Sequence, residues 1–76
     1  SRYHFSSRYK ALTGYSPIRH FLHLKIEYAC QLLDNTEMSV KAIASELGYA
    51  DPLYFSRLFT KTMGLSPRAY RSAVRA

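Results

Sequence analysis

The residues from Ser39 to Gly64 constrain the fold most strongly, because they contain two short helical patterns separated by a turn that contains glycine. Apolar residues in the first pattern occupy the i, i+3, i+4 and i+7 positions of one helix face; they are Val40, Ile43, Ala44 and Leu47. Ser39 is a favourable N-cap residue, and Gly48 can adopt the left-handed conformation that ends a helix. We therefore predict a helix from Ser39 to Leu47.

The second pattern begins at Asp51, which can cap a helix that has Pro52 in its first turn and ends at Gly64. One face carries an apolar stripe: Phe55, Leu58 and Phe59, extended by Thr62. The opposite face is mostly polar and carries Leu53, Ser56, Arg57 and Thr60. Two helices joined by a few residues, the second with one apolar and one basic face, indicate a helix-turn-helix. The outward face of its second helix is the one that would enter a DNA major groove.

The rest of the chain is also predicted to be helical. A helix from Ser1 to about Leu12 would end at Gly14, with its apolar face formed by Phe5, Tyr9 and Leu12. A long helix from Pro17 to Leu33, ended by Asp34-Asn35, carries apolar residues on more than one stripe, which favours burial on two sides; Cys30 is expected to be one of its small buried residues. A closing helix from Pro67 to about Val74 would bury Tyr70 and Val74. No segment alternates as a strand does, so the predicted class is all-α.

The chain contains an internal repeat with an offset of fifty residues. The segment SRYHFSSRYKALTGYSP is a second copy of DPLYFSRLFTKTMGLSP. A helical pattern precedes the later copy, whereas nothing precedes the earlier one. We therefore expect residues 1–34 to form a partial first helix-turn-helix, represented by its recognition helix, with a long linker helix. Residues 35–76 are expected to form a complete second unit, a homeodomain-like bundle of three helices.

Composition narrows the range of functions. The net charge of +6 favours a polyanionic partner such as nucleic acid, and the apolar fraction of 47% argues against disorder. Cys30 is the single cysteine, which excludes an internal disulfide and fits a reducing compartment, cytosol or nucleoid. No apolar run is long enough to cross a bilayer. The chain lacks a glycine-rich phosphate loop, so neither an enzyme nor a cofactor is expected. His4, His20 and His23 have no cysteine or acidic cluster beside them, so a metal site is not expected either.

These motifs together resemble the C-terminal DNA-binding domain of the AraC/XylS-type transcription regulators. The resemblance is carried by a long set of residues: Ile43-Ala44, Leu47-Gly48-Tyr49, Asp51, Tyr54-Phe55-Ser56-Arg57, Phe59, Lys61, Gly64, Ser66-Pro67 and Tyr70-Arg71. It covers essentially the whole chain, as a domain truncated at its N-terminus. The family implies two helix-turn-helix units on a long linker helix, with recognition helices in successive major grooves about 34 Å apart. The implied partner is double-stranded DNA.

Carried over by position, the resemblance implies base contacts from the second recognition helix by Leu53, Ser56 and Arg57. Arg57 is the strongest of these, because a guanidinium can bond both acceptors of a guanine. The matching positions of the first copy are Tyr3, Ser6 and Ser7. Phosphate contacts are expected from five further residues: Arg19, Ser39, Lys41, Tyr54 and Arg68.

Other interpretations remain open on the sequence alone. Arg57, Lys41 and Arg68 are also compatible with an ordinary solvated surface. Stacking on single-stranded bases is an alternative role for the aromatic rings, but the inward periodicity of Phe5, Tyr9, Phe55, Phe59 and Tyr70 favours a core role. The main alternative function is a protein-interaction module whose basic helix faces contact an acidic partner such as RNA polymerase. Self-association is a further expectation, because the incomplete first unit would leave Phe5, Tyr9 and Leu12 partly uncovered.

Overall fold

A computed structural model describes residues 16–76 of the chain. This part is entirely helical and has no strand. Its four helices are α1 (Pro17–Asn35), α2 (Val40–Glu46), α3 (Pro52–Met63) and α4 (Pro67–Arg75). The all-α prediction is therefore confirmed, whereas the helix expected from Ser1 to Leu12 lies outside the described residues.

Each helix begins at a side chain that caps its free backbone N–H groups. The hydroxyl oxygens of Ser16, Ser39 and Ser66 accept from the N–H three residues further on. The Asp51 carboxylate accepts from the N–H of Leu53 at 2.9 Å. Such caps stabilise a helix by about 1 kcal/mol each. Proline occupies the first turn of the three helices α1, α3 and α4, where its missing N–H costs no hydrogen bond.

The turn between α2 and α3 depends on glycine. Gly48 has a φ of +90°, and Gly64, which ends α3, has a φ of +84°. Residues with a Cβ rarely adopt this left-handed region. The helix-turn-helix predicted from Ser39 to Gly64 is therefore present, with α2 starting one residue after Ser39 and ending at Glu46.

The core lies where α1 crosses the helix-turn-helix. The Phe55 and Phe59 rings are fully buried, and their centroids lie 6.0 Å apart. Phe59 also meets the ring of Tyr70 on α4 edge-on, at 5.7 Å. The remaining buried core residues are Ile26, Ala29, Leu33, Ile43, Ala44 and Leu47. Burial of these rings fixes the rotation of α3 about its own axis.

The end of α1 was predicted two residues too early. The helix continues through Asp34 to Asn35 because Thr36, rather than Asp34-Asn35, supplies the cap. Both the hydroxyl and the backbone N–H of Thr36 donate to the carbonyl of Leu32, at 2.6 Å and 3.1 Å.

Some residues predicted to be buried are exposed. Thr62 does not extend the buried stripe of α3, and Val74 is 41% exposed in the last turn of α4. Cys30 is half-buried. The second side of α1, expected to be buried, is exposed in the described structure; its apolar residues are Ile18, Phe21, Leu24 and Tyr28.

Two arginines on α4 hold the C-terminal end of α1. Arg71 donates to the carbonyls of Leu33 at 2.9 Å and Thr36 at 3.1 Å. Arg75 donates to the same two carbonyls, at 3.1 Å and 2.6 Å, and forms an ion pair with Glu37 at 2.8 Å. These carbonyls carry the partial negative charge of a helix end, which a guanidinium neutralises. We call Arg71 and Arg75 with these carbonyls the arginine junction. It fixes α4 against α1 and, because α4 follows α3 shortly after Gly64, also restricts the end of α3.

Candidate nucleic-acid interface

The outward face of α3 brings together the side chains that the sequence predicts to contact bases. Leu53 is 69% exposed, Arg57 and Thr60 are exposed, and Ser56 is half-buried. Together with Lys61 these residues line one open concavity of about 450 Å³. We call this surface the reading face. It points outward because Phe55 and Phe59, on the opposite side of α3, are fully buried.

The reading face combines three kinds of contact with a base edge. The guanidinium of Arg57 offers paired donors, the Leu53 side chain offers an apolar surface, and the Ser56 hydroxyl can donate or accept. An α-helix with side chains is about 10–12 Å wide, which matches the width of the major groove of B-DNA. The geometry of α3 therefore suits direct reading of base pairs.

Thr60 was predicted to face outward but was not included among the predicted base contacts. Its hydroxyl donates to the carbonyl of Ser56 at 2.8 Å. The hydroxyl proton is therefore already engaged, and toward a ligand the oxygen can only accept. Adenine and cytosine present amino donors in the major groove, whereas guanine and thymine present acceptors. The periodicity placed Thr60 on this face. Its role as an acceptor follows from a hydrogen bond that only the structure reveals.

Tyr54 lies beside the reading face and is 53% exposed. Its ring centroid is 6.0 Å from that of Tyr49 in the turn, and burial raises the pKa of the Tyr49 hydroxyl. The ammonium of Lys25 on α1 lies 4.7 Å from the Tyr49 ring centroid and 5.1 Å from that of Phe21. This cation–π contact joins α1 to the turn. Sequence reasoning did not find it, because residues 25 and 49 are far apart along the chain.

The residues predicted to contact phosphates lie at helix starts or on exposed surfaces. Ser39 and Lys41 are exposed at the start of α2, and Arg68 is exposed at the start of α4. The Ser39 oxygen accepts from the N–H of Ala42 at 3.0 Å, which leaves its proton for a phosphate. Arg19 is exposed near the start of α1. The predicted base contacts of the first copy, Tyr3, Ser6 and Ser7, lie outside the described residues.

The thiol of Cys30 and the hydroxyl of Tyr70 form a small titratable pair between α1 and α4. Burial raises the pKa of the Cys30 thiol, although its hydrogen bond with Tyr70 opposes this. The same hydrogen bond raises the pKa of the Tyr70 hydroxyl, and burial adds to the effect. Residues 16–76 contain no cluster of three histidine, cysteine or acidic residues that could hold a metal ion. In the same range no helix is long and apolar enough to cross a membrane.

Known proteins resemble this chain over nearly its full length. A family model described as a helix-turn-helix domain matches residues 1–73. The MmsAB operon regulatory protein of Pseudomonas aeruginosa is 65% identical over 75 residues, which are 99% of this chain and 24% of the relative. The lactose operon transcription activator of Staphylococcus xylosus is 35% identical over 71 residues, covering 93% of this chain and 25% of the relative. The chain thus spans about a quarter of the length of these relatives.

Solved structures share the fold. The DNA-binding domain of AdpA, a global transcriptional factor crystallised in complex with a target DNA, has a TM-score of 0.89 and 33% identity, covering 99% of this chain and 68% of that one. The C-terminal domain of AraT, a response regulator from Geobacillus stearothermophilus, has a TM-score of 0.90 and 37% identity, covering 96% of this chain and 60% of that one.

Proposed function

The chain belongs to the AraC-type helix-turn-helix family, and from that premise we propose that it binds double-stranded DNA sequence-specifically as part of a transcription regulator. One observation carries the proposal. The fully buried rings of Phe55 and Phe59 orient Leu53, Ser56 and Arg57 outward on a single helix face. A similar domain was crystallised with its target DNA, which supports the same use of the fold here.

In this proposal α3 lies in a major groove, and Arg57 donates to the O6 and N7 acceptors of one guanine. Leu53 contacts a thymine methyl group, and Ser56 bonds a neighbouring base edge. The first copy of the repeat reads the next major groove, about 34 Å away, through Tyr3, Ser6 and Ser7. Ser7 stands where the second copy has Arg57, so guanine discrimination is assigned mainly to α3.

Contacts to phosphate fix the register of the domain on the duplex without reading sequence. We assign this role to Arg19, Ser39, Lys41, Tyr54 and Arg68. Ser39 and the first N–H groups of α2 offer donors at a helix N-terminus, where anions are favoured. In this role the chain associates with the nucleoid in the cytoplasm.

The proposal is tested by selecting preferred duplexes from a random pool and titrating the best one across a salt series. We expect preferred and scrambled duplexes of equal length to differ in affinity. We also expect the logarithm of the association constant to fall linearly with the logarithm of salt concentration, by about 0.9 for each phosphate neutralised. Equal affinity for every duplex, or no binding to any, would contradict the proposal.

A second proposal concerns protein contacts. The apolar side chains exposed on α1 include Phe21, which is 60% exposed, and Ile18, which is 78% exposed. Such a patch is unfavourable in water, and covering it favours self-association of this chain. RNA polymerase is the other candidate partner, through the exposed basic faces. Sedimentation over a concentration range tests self-association. An increase in mass with concentration is expected, and a monomer at every concentration would contradict self-association.

Binding to RNA polymerase is tested without DNA. We expect purified RNA polymerase to bind a labelled chain and Arg68→Gln to weaken the complex; no binding would contradict this contact.

A further inference from the structure

A second basic surface lies beside the reading face, in the groove between the first half of α1 and the last half of α3. The groove has a volume of about 470 Å³. Its lining residues are Arg19, Leu22, His23, Leu58, Lys61 and Thr62. We call it the α1–α3 groove. Most of these residues have no part in base reading as described above.

The chemistry of this groove fits an anion. Half-buried Leu22 and Leu58 form its apolar floor, and the exposed Arg19 and Lys61 supply two cationic side chains. Thr62 adds a hydroxyl donor. Among the described residues that line the groove there is no carboxylate, whereas the neighbouring groove, which also contains His23, is lined in part by Glu27. An anion would therefore be attracted to the α1–α3 groove and not to its neighbour.

The groove is continuous with the reading face through Lys61, which lines both. Lys61 lies four residues beyond Arg57, about 6 Å along the axis of α3. A helix that fills a major groove about 12 Å wide has one phosphodiester strand on each side. The α1–α3 groove opens beside the reading face at Lys61, so the DNA strand on that side of α3 meets this groove.

We propose that the α1–α3 groove binds the phosphodiester backbone of the DNA strand that flanks α3 on the side of α1. Lys61 and Arg19 bond phosphate oxygens, and the Thr62 hydroxyl donates a further hydrogen bond. The inference rests on the proposed function and adds a site to it. This site supplies register and salt dependence, while Arg57 supplies base discrimination.

The first test compares Lys61→Gln with Lys25→Gln on the preferred duplex and on a scrambled one. Both variants remove one ammonium, but Lys25 lies against the Tyr49 ring and does not line the groove. We expect Lys61→Gln to reduce the salt slope by about 0.9 and to weaken binding about fivefold on both duplexes, the size of one accessible ion pair. We expect Lys25→Gln to leave the salt slope unchanged. Circular dichroism verifies that both variants are folded.

The second test locates the phosphate. Single phosphates of the preferred duplex are replaced in turn by uncharged methylphosphonates, and each duplex is titrated with the unmodified chain and with Lys61→Gln. We expect the two changes to be non-additive at one position on one strand and additive elsewhere. Additivity at every position, or an unchanged salt slope in Lys61→Gln, would overturn the groove proposal while leaving sequence-specific binding intact.

If the proposed function itself is wrong, the result is different: the unmodified chain binds no duplex selectively. The groove proposal then fails together with the proposed function. A free anion is distinguished by competition. Inorganic phosphate, at matched ionic strength, should compete with the duplex no better than chloride does. Stronger competition by phosphate that disappears in Lys61→Gln would make the groove a site for free phosphate and would overturn the assignment to DNA.

Discussion

Arg57 is the residue on which base discrimination by α3 depends in the proposed function. It is exposed, on the side of α3 opposite the buried Phe55–Phe59 pair that orients it. We predict that Arg57→Ala weakens binding to the preferred duplex by about 1–3 kcal/mol and removes the preference at one base pair only. Titration against duplexes with single substitutions measures this. Lys41→Ala is the control and should weaken all sequences alike; the same behaviour in Arg57→Ala would make Arg57 a phosphate contact.

A more specific prediction concerns Thr60, because its hydroxyl donates a hydrogen bond to the Ser56 carbonyl. Thr60→Val keeps the shape of the side chain and removes the oxygen. We expect it to lose about 0.5–1.5 kcal/mol of binding free energy on a site with adenine or cytosine opposite residue 60, and to lose little when that base is guanine or thymine. Thr60→Ser, which retains the oxygen, should keep the preference. A Thr60→Val variant with the preference of the unmodified chain would exclude the contact.

The sequence predicts which residues form the site, but it does not predict all of their contacts. Periodicity identified the face that carries Arg57 and Thr60, because burying two rings fixes the rotation of a helix. It did not identify that the Thr60 hydroxyl is left only as an acceptor, or that Lys25 contacts Tyr49. Both depend on atoms that folding brings together. Thr62 fits the spacing of the buried stripe, yet it lines the open α1–α3 groove, which spacing alone does not reveal.

Among the helices, α4 has a larger role than its length implies. Arg71 and Arg75 cap the end of α1 by bonding its carbonyls. We predict that Arg71→Ala lowers the free energy of unfolding by about 1.5–3 kcal/mol, the range for hydrogen bonds that involve a charged group. Urea unfolding measures this change. The matched control is Arg68→Ala, an exposed arginine on the same helix, which should change stability by less than about 0.5 kcal/mol.

The starts of the helices were easier to predict than their ends. A serine or aspartate at the start of an apolar periodic run is a local signal, and Ser39 and Asp51 each cap the helix that the sequence assigned to them. The end of α1 depends instead on Thr36 and on two arginines almost forty residues away. Likewise, the exposure of Val74 depends on how α4 lies against α1, which the pattern of α4 alone does not determine.

For the molecule as a whole, stability should depend on alkaline pH. The pKa values of Cys30, Tyr49 and Tyr70 are all raised in the folded chain. The folded chain therefore retains these protons at a pH where the unfolded chain has released them, and this contribution to stability is present in full below the unfolded values. We predict that the free energy of unfolding falls as the pH rises above about 8.5, the usual pKa of a thiol.

Urea unfolding between about pH 8 and pH 10 measures this slope before most lysines titrate. The double variant Cys30→Ala/Tyr70→Phe removes two of the three groups and should show a shallower decline than the unmodified chain. Equal slopes in the two proteins, or stability that rises with pH over this range, would show that these groups do not control the alkaline behaviour.

The arginine junction has a practical consequence for handling the protein. Its donors bond mainly backbone carbonyls, so dissolved ions weaken it far less than they weaken contacts between exposed charges. Phosphate contacts, in contrast, are lost steeply as ionic strength rises. We therefore expect a salt gradient to elute the chain from immobilised heparin in its native conformation, and dialysis followed by reloading should recover the same elution position.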